Sequence, residues 1–100
     1  MCGDDHVAGI PSREALEAAH SFPCRFSIKA VGVNHATFVT AVREAAVHVA
    51  GDASQVSLAQ RESANGTYVS VTVEIPADTA ETVRTLYYRL QAVADLKTLL

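Results

Sequence analysis

The sequence predicts an α+β fold, in which strands that alternate apolar and polar residues are separated by helices with an apolar stripe. The dipeptide Asn65-Gly66 is typical of a tight primed hairpin turn, because both residues accept a positive φ. After it, apolar side chains recur at every second position from Val69 to Ile75, so one face of this strand is expected to be buried. Two longer stretches carry apolar residues at helical spacing instead, one over residues 35–50 and one nearer the C-terminus.

A short helix and a first strand are predicted in the N-terminal third. Ser12 is expected to cap the helix, which extends to His20 and has a thin apolar face. Pro23 ends any helix by the preceding residue. Apolar residues then alternate with polar ones from Phe22 to Ala30, and this period of two predicts the first strand.

The predicted helix over residues 35–50 follows directly. Asn34 is expected to be its N-cap, because a short polar side chain can accept hydrogen bonds from the first turn. Gly51 follows the helix where a left-handed C-cap is expected. A weaker alternation over about residues 55–62 predicts a second strand that leads into the hairpin turn.

The last third predicts a helix and a short strand after the central strand. Pro76 is expected to stop the central strand. Asp78 is expected to cap the helix, with Glu81 placed three residues later as in a capping box. The segment from Leu96 to Leu100 is expected to form the final strand.

The predicted order of strand, helix, strand, strand, helix, strand is that of the ferredoxin-like βαββαβ fold. Right-handed crossovers then place two helices on one face of a four-stranded antiparallel sheet with the order 4-1-3-2. Residues 1–21 are expected to be an N-terminal extension, and residues 22–100 the domain proper. Because the extension has weak periodicity, we expect it to contribute little to the main core, so that removal of residues 1–20 leaves the domain folded.

Composition restricts the classes of partner. With 100 residues, of which 49% are hydrophobic and 19% charged, the chain is expected to fold as one domain. A net charge of -3 and a pI near 5.7 argue against nucleic acid as a partner. No apolar run reaches the roughly 20 residues of a membrane helix, and no secretory signal is visible. We therefore expect a cytoplasmic protein whose two cysteines, Cys2 and Cys24, stay reduced.

Four motifs resemble the YbeD-like family of small bacterial proteins of unknown function. Residues 22–32 (F-P-C-R-F-S-I-K-A-V-G) resemble the family's opening F-P-x-x-F-x-x-K-x-x-G, and residues 66–73 (G-T-Y-V-S-V-T-V) resemble its strand G-x-Y-x-S-V-T-V. The other two motifs are Leu86-Tyr87 in the last helix and Leu96-Lys97 with Leu100 in the last strand. The resemblance covers residues 22–100 and implies a ferredoxin-like fold similar to ACT regulatory domains. It supplies no catalytic motif, and neither Cys24 nor Arg25 inherits a role from it.

The residues that could do chemistry do not combine into a site. His35 and His48 lie about 20 Å apart along one predicted helix, too far to share a metal ion. Cys2, Asp4, Asp5 and His6 lack a recognised ligand spacing, and Cys24 is expected to pack as a small apolar residue. We therefore expect no metal, no cofactor and no enzymatic activity.

The polar face of the predicted sheet has two interpretations. Arg25, Lys29 and Arg61 are expected to share this face and could hold an anion, or they could be solvated with cross-strand partners such as Glu74. RNA binding on this topology uses aromatic residues of both central strands. Tyr68 is the aromatic residue that the central strand offers at its edge, and the first strand offers none on this face, so RNA binding is not expected.

The loop Gly32-Val33-Asn34 is the predicted ligand site. Gly32 could allow a ligand to approach the backbone, or it could be needed only for the turn. The following helix N-terminus offers N–H groups suited to a carboxylate. We expect a non-enzymatic regulatory or binding module that self-associates and senses a small carboxylate or amino-acid-like ligand. The alternative is an adaptor that binds a protein partner through the sheet face or an edge strand.

Overall fold

The computed structural model describes residues 10–100, which form one sheet covered by helices. In chain order the elements are α1 (Arg13–Ala19), β1 (Cys24–Val33), α2 (Ala36–Ala50), a 3₁₀ turn (Ala53–Gln55), β2 (Ser57–Glu62), β3 (Tyr68–Ala77), α3 (Ala80–Gln91) and β4 (Leu96–Leu99). The strands pair antiparallel in the order β2-β3-β1-β4. This arrangement confirms the predicted ferredoxin-like fold with an added N-terminal helix.

The two central strands, β1 and β3, form the longest pairing in the sheet. They pair from Cys24 opposite Ala77 to Val33 opposite Tyr68 without a break. Side chains at every second position are buried on one face. They are Phe26, Ile28 and Ala30 of β1 and Val69, Val71, Val73, Ile75 and Ala77 of β3. The buried face predicted from the alternation is therefore confirmed.

Helices α2 and α3 cover the buried face of the sheet. Their apolar stripes join the sheet residues in one core. The fully buried members of these stripes are Phe38, Val42 and Ala46 of α2 and Ala80, Val83, Leu86 and Leu90 of α3. The predicted C-cap of α2 is also confirmed, since Gly51 has a φ of 80° and its N–H donates to the carbonyl of Val47. Among residues 10–100, no helix is long and apolar enough to cross a membrane.

The turn between β2 and β3 differs from the predicted two-residue primed turn. The connection spans residues 63–67, and only Gly66 within it has a positive φ, of 74°. The Gly66 N–H donates to the carbonyl of Ser63 at 2.9 Å. The side-chain oxygen of Asn65 accepts from the Ser63 hydroxyl at 3.2 Å, which holds the loop closed. The hairpin itself was predicted correctly, but its turn is longer because Asn65 uses its side chain rather than a left-handed backbone.

Strand β3 continues past Pro76, where the sequence predicted that it would stop. Pro76 lies opposite Arg25, and the pairing with β1 extends to Ala77. Strand β2 pairs no further than Glu74. The side of β3 that faces β2 is therefore unpaired at Pro76. A strand tolerates proline at such a position, because proline has no N–H to donate and none is needed there.

Helix α3 begins later than predicted. Its N-cap is Thr79 rather than Asp78, and the cap makes no side-chain hydrogen bond, so the predicted capping box is absent. Because β3 extends to Ala77, Asp78 lies in the short connection between β3 and α3. Glu81 instead forms an ion pair with Arg84 in the next turn, at 4.0 Å.

The short helix α1 is attached to the core. The Ser12 hydroxyl accepts from the Ala15 N–H at 3.1 Å, which confirms the predicted cap. Leu16 is only 3% exposed and belongs to the main core, so the expectation that the N-terminal extension contributes little to the core is wrong for this residue. Arg84 of α3 donates to the carbonyl of Pro11 at 3.0 Å. The boundary between residues 1–21 and 22–100 stays a prediction.

Replacing Leu16 by alanine tests whether α1 contributes to stability. We expect Leu16→Ala to lower the free energy of unfolding by about 2 kcal/mol or more, because a buried leucine side chain is lost from the core. Glu17→Ala is the matched control on the same helix, since Glu17 is exposed. Urea unfolding followed by circular dichroism measures both variants. Equal stabilities of the two variants would show that α1 does not support the domain.

Candidate functional site

Gly32, the first residue of the predicted ligand loop, is covered by the protein itself. It lies within β1, next to a register shift in the pairing of β1 with β4. A Cβ atom at this position would lie 2.5 Å from the ring of Phe38 and 2.7 Å from the backbone oxygen of Asp95. Glycine is therefore required for close packing of α2 and of the turn before β4. The approach to the Gly32 backbone is occupied by Phe38, not open to a ligand.

Asn34 connects the end of β1 to the β2–β3 hairpin. Its backbone N–H donates to the carbonyl of Thr67 at 3.1 Å, and its side-chain amide donates to the carbonyl of Gly66 at 3.0 Å. It is not the N-cap of α2, as the sequence predicted. That position belongs to His35, which makes no side-chain cap hydrogen bond. The amide that was expected to cap the helix or meet a ligand holds two loops together instead.

Val33, the third residue of the predicted loop, lies at the end of β1 on the sheet face opposite the helices. Its N–H donates to the carbonyl of Asp95 at 3.1 Å, and it lies opposite Tyr68 in the β1–β3 register. Asp95 has a φ of 71°, a left-handed conformation that aspartate tolerates better than most residues. The three loop residues therefore join β1 to the hairpin and to the turn before β4.

The sheet face opposite the helices carries the polar residues that the alternation predicted. We call it the open face. The paired register assigns to it Arg25, Ser27, Lys29, Val31 and Val33 of β1, Ser57, Ala59 and Arg61 of β2, Tyr68, Ser70, Thr72, Glu74 and Pro76 of β3, and Thr98 of β4. None of the helices between residues 10 and 100 packs on this face, because their buried side chains form one core with the opposite face of the sheet. The prediction that Arg25, Lys29 and Arg61 share one face is confirmed by the register.

The three cations of the open face differ in their partners. The Arg25 guanidinium lies 3.5 Å from the carboxylate of Glu74 and also donates to the carbonyl of Gln55 at 3.2 Å. Lys29 and Arg61 have no side-chain hydrogen bond or ion pair to any residue from 10 to 100. Arg25 is thus fixed to the end of the sheet, whereas two positive charges on the same face stay free for another molecule.

A shallow cavity of about 240 Å³ lies beside Arg61. Its lining includes Val31, Tyr68, Ser63 and Ser70, and also Glu62, the neighbour of Arg61 in β2. Tyr68, the first residue of β3, is 41% exposed. An apolar wall therefore adjoins one of the free cations.

A second groove, of about 730 Å³, lies between α2 and α3 on the side away from the sheet. Its base is mostly alanine, and its rims carry Glu44 and His48 of α2 and Tyr88 and Arg89 of α3. The Arg84 guanidinium lies 5.9 Å from the Tyr88 ring centre and restrains that side chain. Tyr88 is 48% exposed.

Two titratable groups in the part of the chain from residue 10 to residue 100 have altered pKa values, and both have structural causes. The N–H and hydroxyl of Ser54 donate to Asp52 and hold the pKa of its carboxyl below the ordinary value. Burial raises the pKa of the Tyr87 hydroxyl. Within residues 10–100, no three His, Cys, Asp or Glu side chains come together as a metal site. The candidate ligands Cys2, Asp4, Asp5 and His6 lie outside the described residues.

Comparison with known proteins places this fold in a family. The family model described as "Protein of unknown function (DUF493)" matches residues 17–100. The chain belongs to this family. Proteins named UPF0250 are similar to it: one from Shewanella sediminis is 38% identical over 79% of this chain and 88% of its own length. Others are from Chromobacterium violaceum, 33% identical over 69% of this chain and 78% of the relative, and from Haemophilus ducreyi, 34% identical over 79% of each. The resemblance to YbeD-like proteins is thereby confirmed.

Replacing Gly32 by alanine tests its packing role. We expect Gly32→Ala to lower the free energy of unfolding by about 1–3 kcal/mol, because the added Cβ collides with Phe38 and with backbone. Ser27→Ala in the same strand is the control, since Ser27 is exposed on the open face. Thermal and urea unfolding measure both variants. A Gly32→Ala protein as stable as the control would leave the ligand-approach role as the better account of this glycine.

Proposed function

We propose that this DUF493 protein is a non-catalytic adaptor, which binds a cytoplasmic protein partner through the open face of its sheet. The observation that carries the proposal is that all described helices lie on the other face of the sheet, while Lys29 and Arg61 on the open face have no partner among residues 10–100. The adaptor role fits this arrangement better than sensing at the loop of Gly32, where Phe38 fills the space.

The shape of the open face favours a protein over a small molecule. Two strands of ten residues each form its centre, so the face is broad and shallow. Its cavity of about 240 Å³ lies below the roughly 300–1,000 Å³ of ordinary small-molecule sites. Half-buried Val31 and Val33 with Tyr68 add an apolar area among hydroxyl side chains. This apolar area lies at one end of the β1–β3 pairing, and protein interfaces likewise combine apolar and polar surface.

Site-specific photocrosslinking in the native cell tests the proposal. A photoreactive phenylalanine replaces Ser27 on the open face, Thr40 on α2 or Gln60 on the edge strand β2; all three are exposed. We expect a reproducible crosslink to one other protein from Ser27, since this position faces the proposed partner. We expect none from Thr40, which is the control on the helix layer.

The same experiment has outcomes that count against the proposal. A partner captured from Thr40 and not from Ser27 would move the interface to the helices. Absence of any crosslink at Ser27, with the protein expressed and folded, would also overturn it. Crosslinks to a second copy from Gln60 would identify self-association through the β2 edge.

Self-association through an edge remains part of this proposal. Strand β2 is an edge strand whose six residues are all exposed. The Ser63 N–H donates to the carbonyl of Tyr68, so these two residues form a hydrogen-bonded pair. In an antiparallel ladder such pairs alternate with pairs that are not hydrogen-bonded. The backbone N–H and C=O groups of Leu58, Gln60 and Glu62 therefore point away from β3, toward the free edge of the sheet. Two copies of β2 could pair antiparallel about Gln60. A face-to-face dimer is less favourable, because it would bring the free cations of both open faces together.

Sensing of a small carboxylate at Gly32, Val33 and Asn34 is the second candidate function. It is favoured by one observation, that the N-cap of α2 supplies no side-chain hydrogen bond to the first turn. Exposed N–H groups at a helix N-terminus attract a carboxylate by about 0.3–1 kcal/mol. An amide chemical-shift titration with amino acids is expected to move the signals of Asn34 and the first turn of α2 if this function holds. Shifts confined to the open face, or none at millimolar ligand, would exclude it.

A further inference from the structure

We propose that the segment bound by the open face is an extended, acidic stretch of the partner protein. This inference rests on the adaptor function proposed above and adds the chemistry of the partner. Three cations and one carboxylate lie on the open face, namely Arg25, Lys29 and Arg61 with Glu74, which gives it a formal charge of +2. The whole chain carries -3, so the rest of the molecule carries -5. The open face is therefore a basic surface on an acidic protein.

The free cations are spaced for an extended segment. Lys29 lies opposite Thr72, and Arg61 lies opposite Ser70 on the far side of β3. The two positions are thus two strands apart across the sheet and two residues apart along it. The strand spacing and the rise per residue give a separation of about 12 Å between them. Side chains four residues apart in an extended chain lie on the same face and are about 13 Å apart. Two carboxylates at positions i and i+4 of an extended segment would therefore reach both cations.

The remaining residues of the face fit the body of such a segment. Tyr68 and Val31 beside Arg61 offer an apolar contact to the side chain two positions from the acidic one, which points to the same face of the segment. Ser27, Ser70 and Thr72 are small and leave room for a backbone above the strands. The two cations would also attract a nucleic acid, whose bases stack on aromatic side chains. On this face Tyr68 of β3 could stack with a base, but β1 provides no aromatic side chain. A protein segment is the occupant that these contacts favour.

The test uses two ten-residue peptides and the full protein. One peptide carries glutamates at positions i and i+4 in a sequence of valine, serine and threonine, and the control peptide carries glutamines there. Amide chemical-shift titration at low salt reports both the site and the affinity. We expect the glutamate peptide to shift signals of β1, β2 and β3 around Lys29 and Arg61, to bind more weakly as salt rises, and to bind more tightly than the glutamine peptide.

Charge reversal assigns the interaction to the two cations. We expect Lys29→Glu and Arg61→Glu each to weaken binding of the glutamate peptide by about threefold to tenfold. Each change removes one exposed attraction to a glutamate and adds a repulsion. Arg43→Glu is the matched control, because Arg43 is exposed on α2 and the change in net charge is the same. It should leave the affinity unchanged. The amide spectra of the free variants show whether each is folded.

Several results would overturn the inference. They are no shift at millimolar peptide, equal binding of the glutamine peptide, equal loss in Arg43→Glu, or tighter binding of a ten-nucleotide oligouridylate on the same face. A photocrosslink from Ser27 together with any of these results would retain the adaptor function and reject only the acidic segment. Failure of the photocrosslink itself would reject the adaptor function.

Discussion

The continuous pairing of β1 with β3 is the constraint on which the rest of the structure depends. It keeps one register from Cys24 opposite Ala77 to Val33 opposite Tyr68. Because the side chains of a strand alternate between faces, this single register decides which residues are buried and which lie on the open face. A slip of β1 by one residue against β3 would bring Lys29 into the core and expose Ile28. The same pairing thus produces both the core and the basic surface.

The sequence predicts the regular part of this arrangement well, because the signal is local. Alternating valines between Val69 and Ile75 indicate the buried strand, and stripes at helical spacing indicate α2 and α3. The order of the elements then leaves few topologies, so the fold followed from pattern alone. Arg25, Lys29 and Arg61 could also be assigned to one face, since that assignment needs only the period of two.

The junctions were predicted less well, because their contacts come from distant parts of the chain. Asn34 looks like a helix cap in its own neighbourhood, but its amide donates to Gly66. Nothing near Gly32 in the sequence indicates that Phe38 and Asp95 will pack against it. Pro76 is a strand breaker by local rules and is tolerated here because β2 has already ended. Each error concerns a residue whose role is set by tertiary contacts.

The candidate site also depends on tertiary contacts, since like residues on one face have unlike roles. Arg25 and Arg61 have the same side chain, but Arg25 reaches Glu74 and Gln55 at the end of the sheet. Arg61 lies on an edge strand, opposite Ser70, where no carboxylate within residues 10–100 pairs with it. A guanidinium whose hydrogen bonds are already made by its own chain has little to offer a partner. One that is solvated keeps its donors for a second molecule, and the register puts it at the same time beside Tyr68 and across β3 from Lys29. The difference between these two arginines is therefore the physical reason to look for a partner on this face of the sheet rather than at the loop of Gly32.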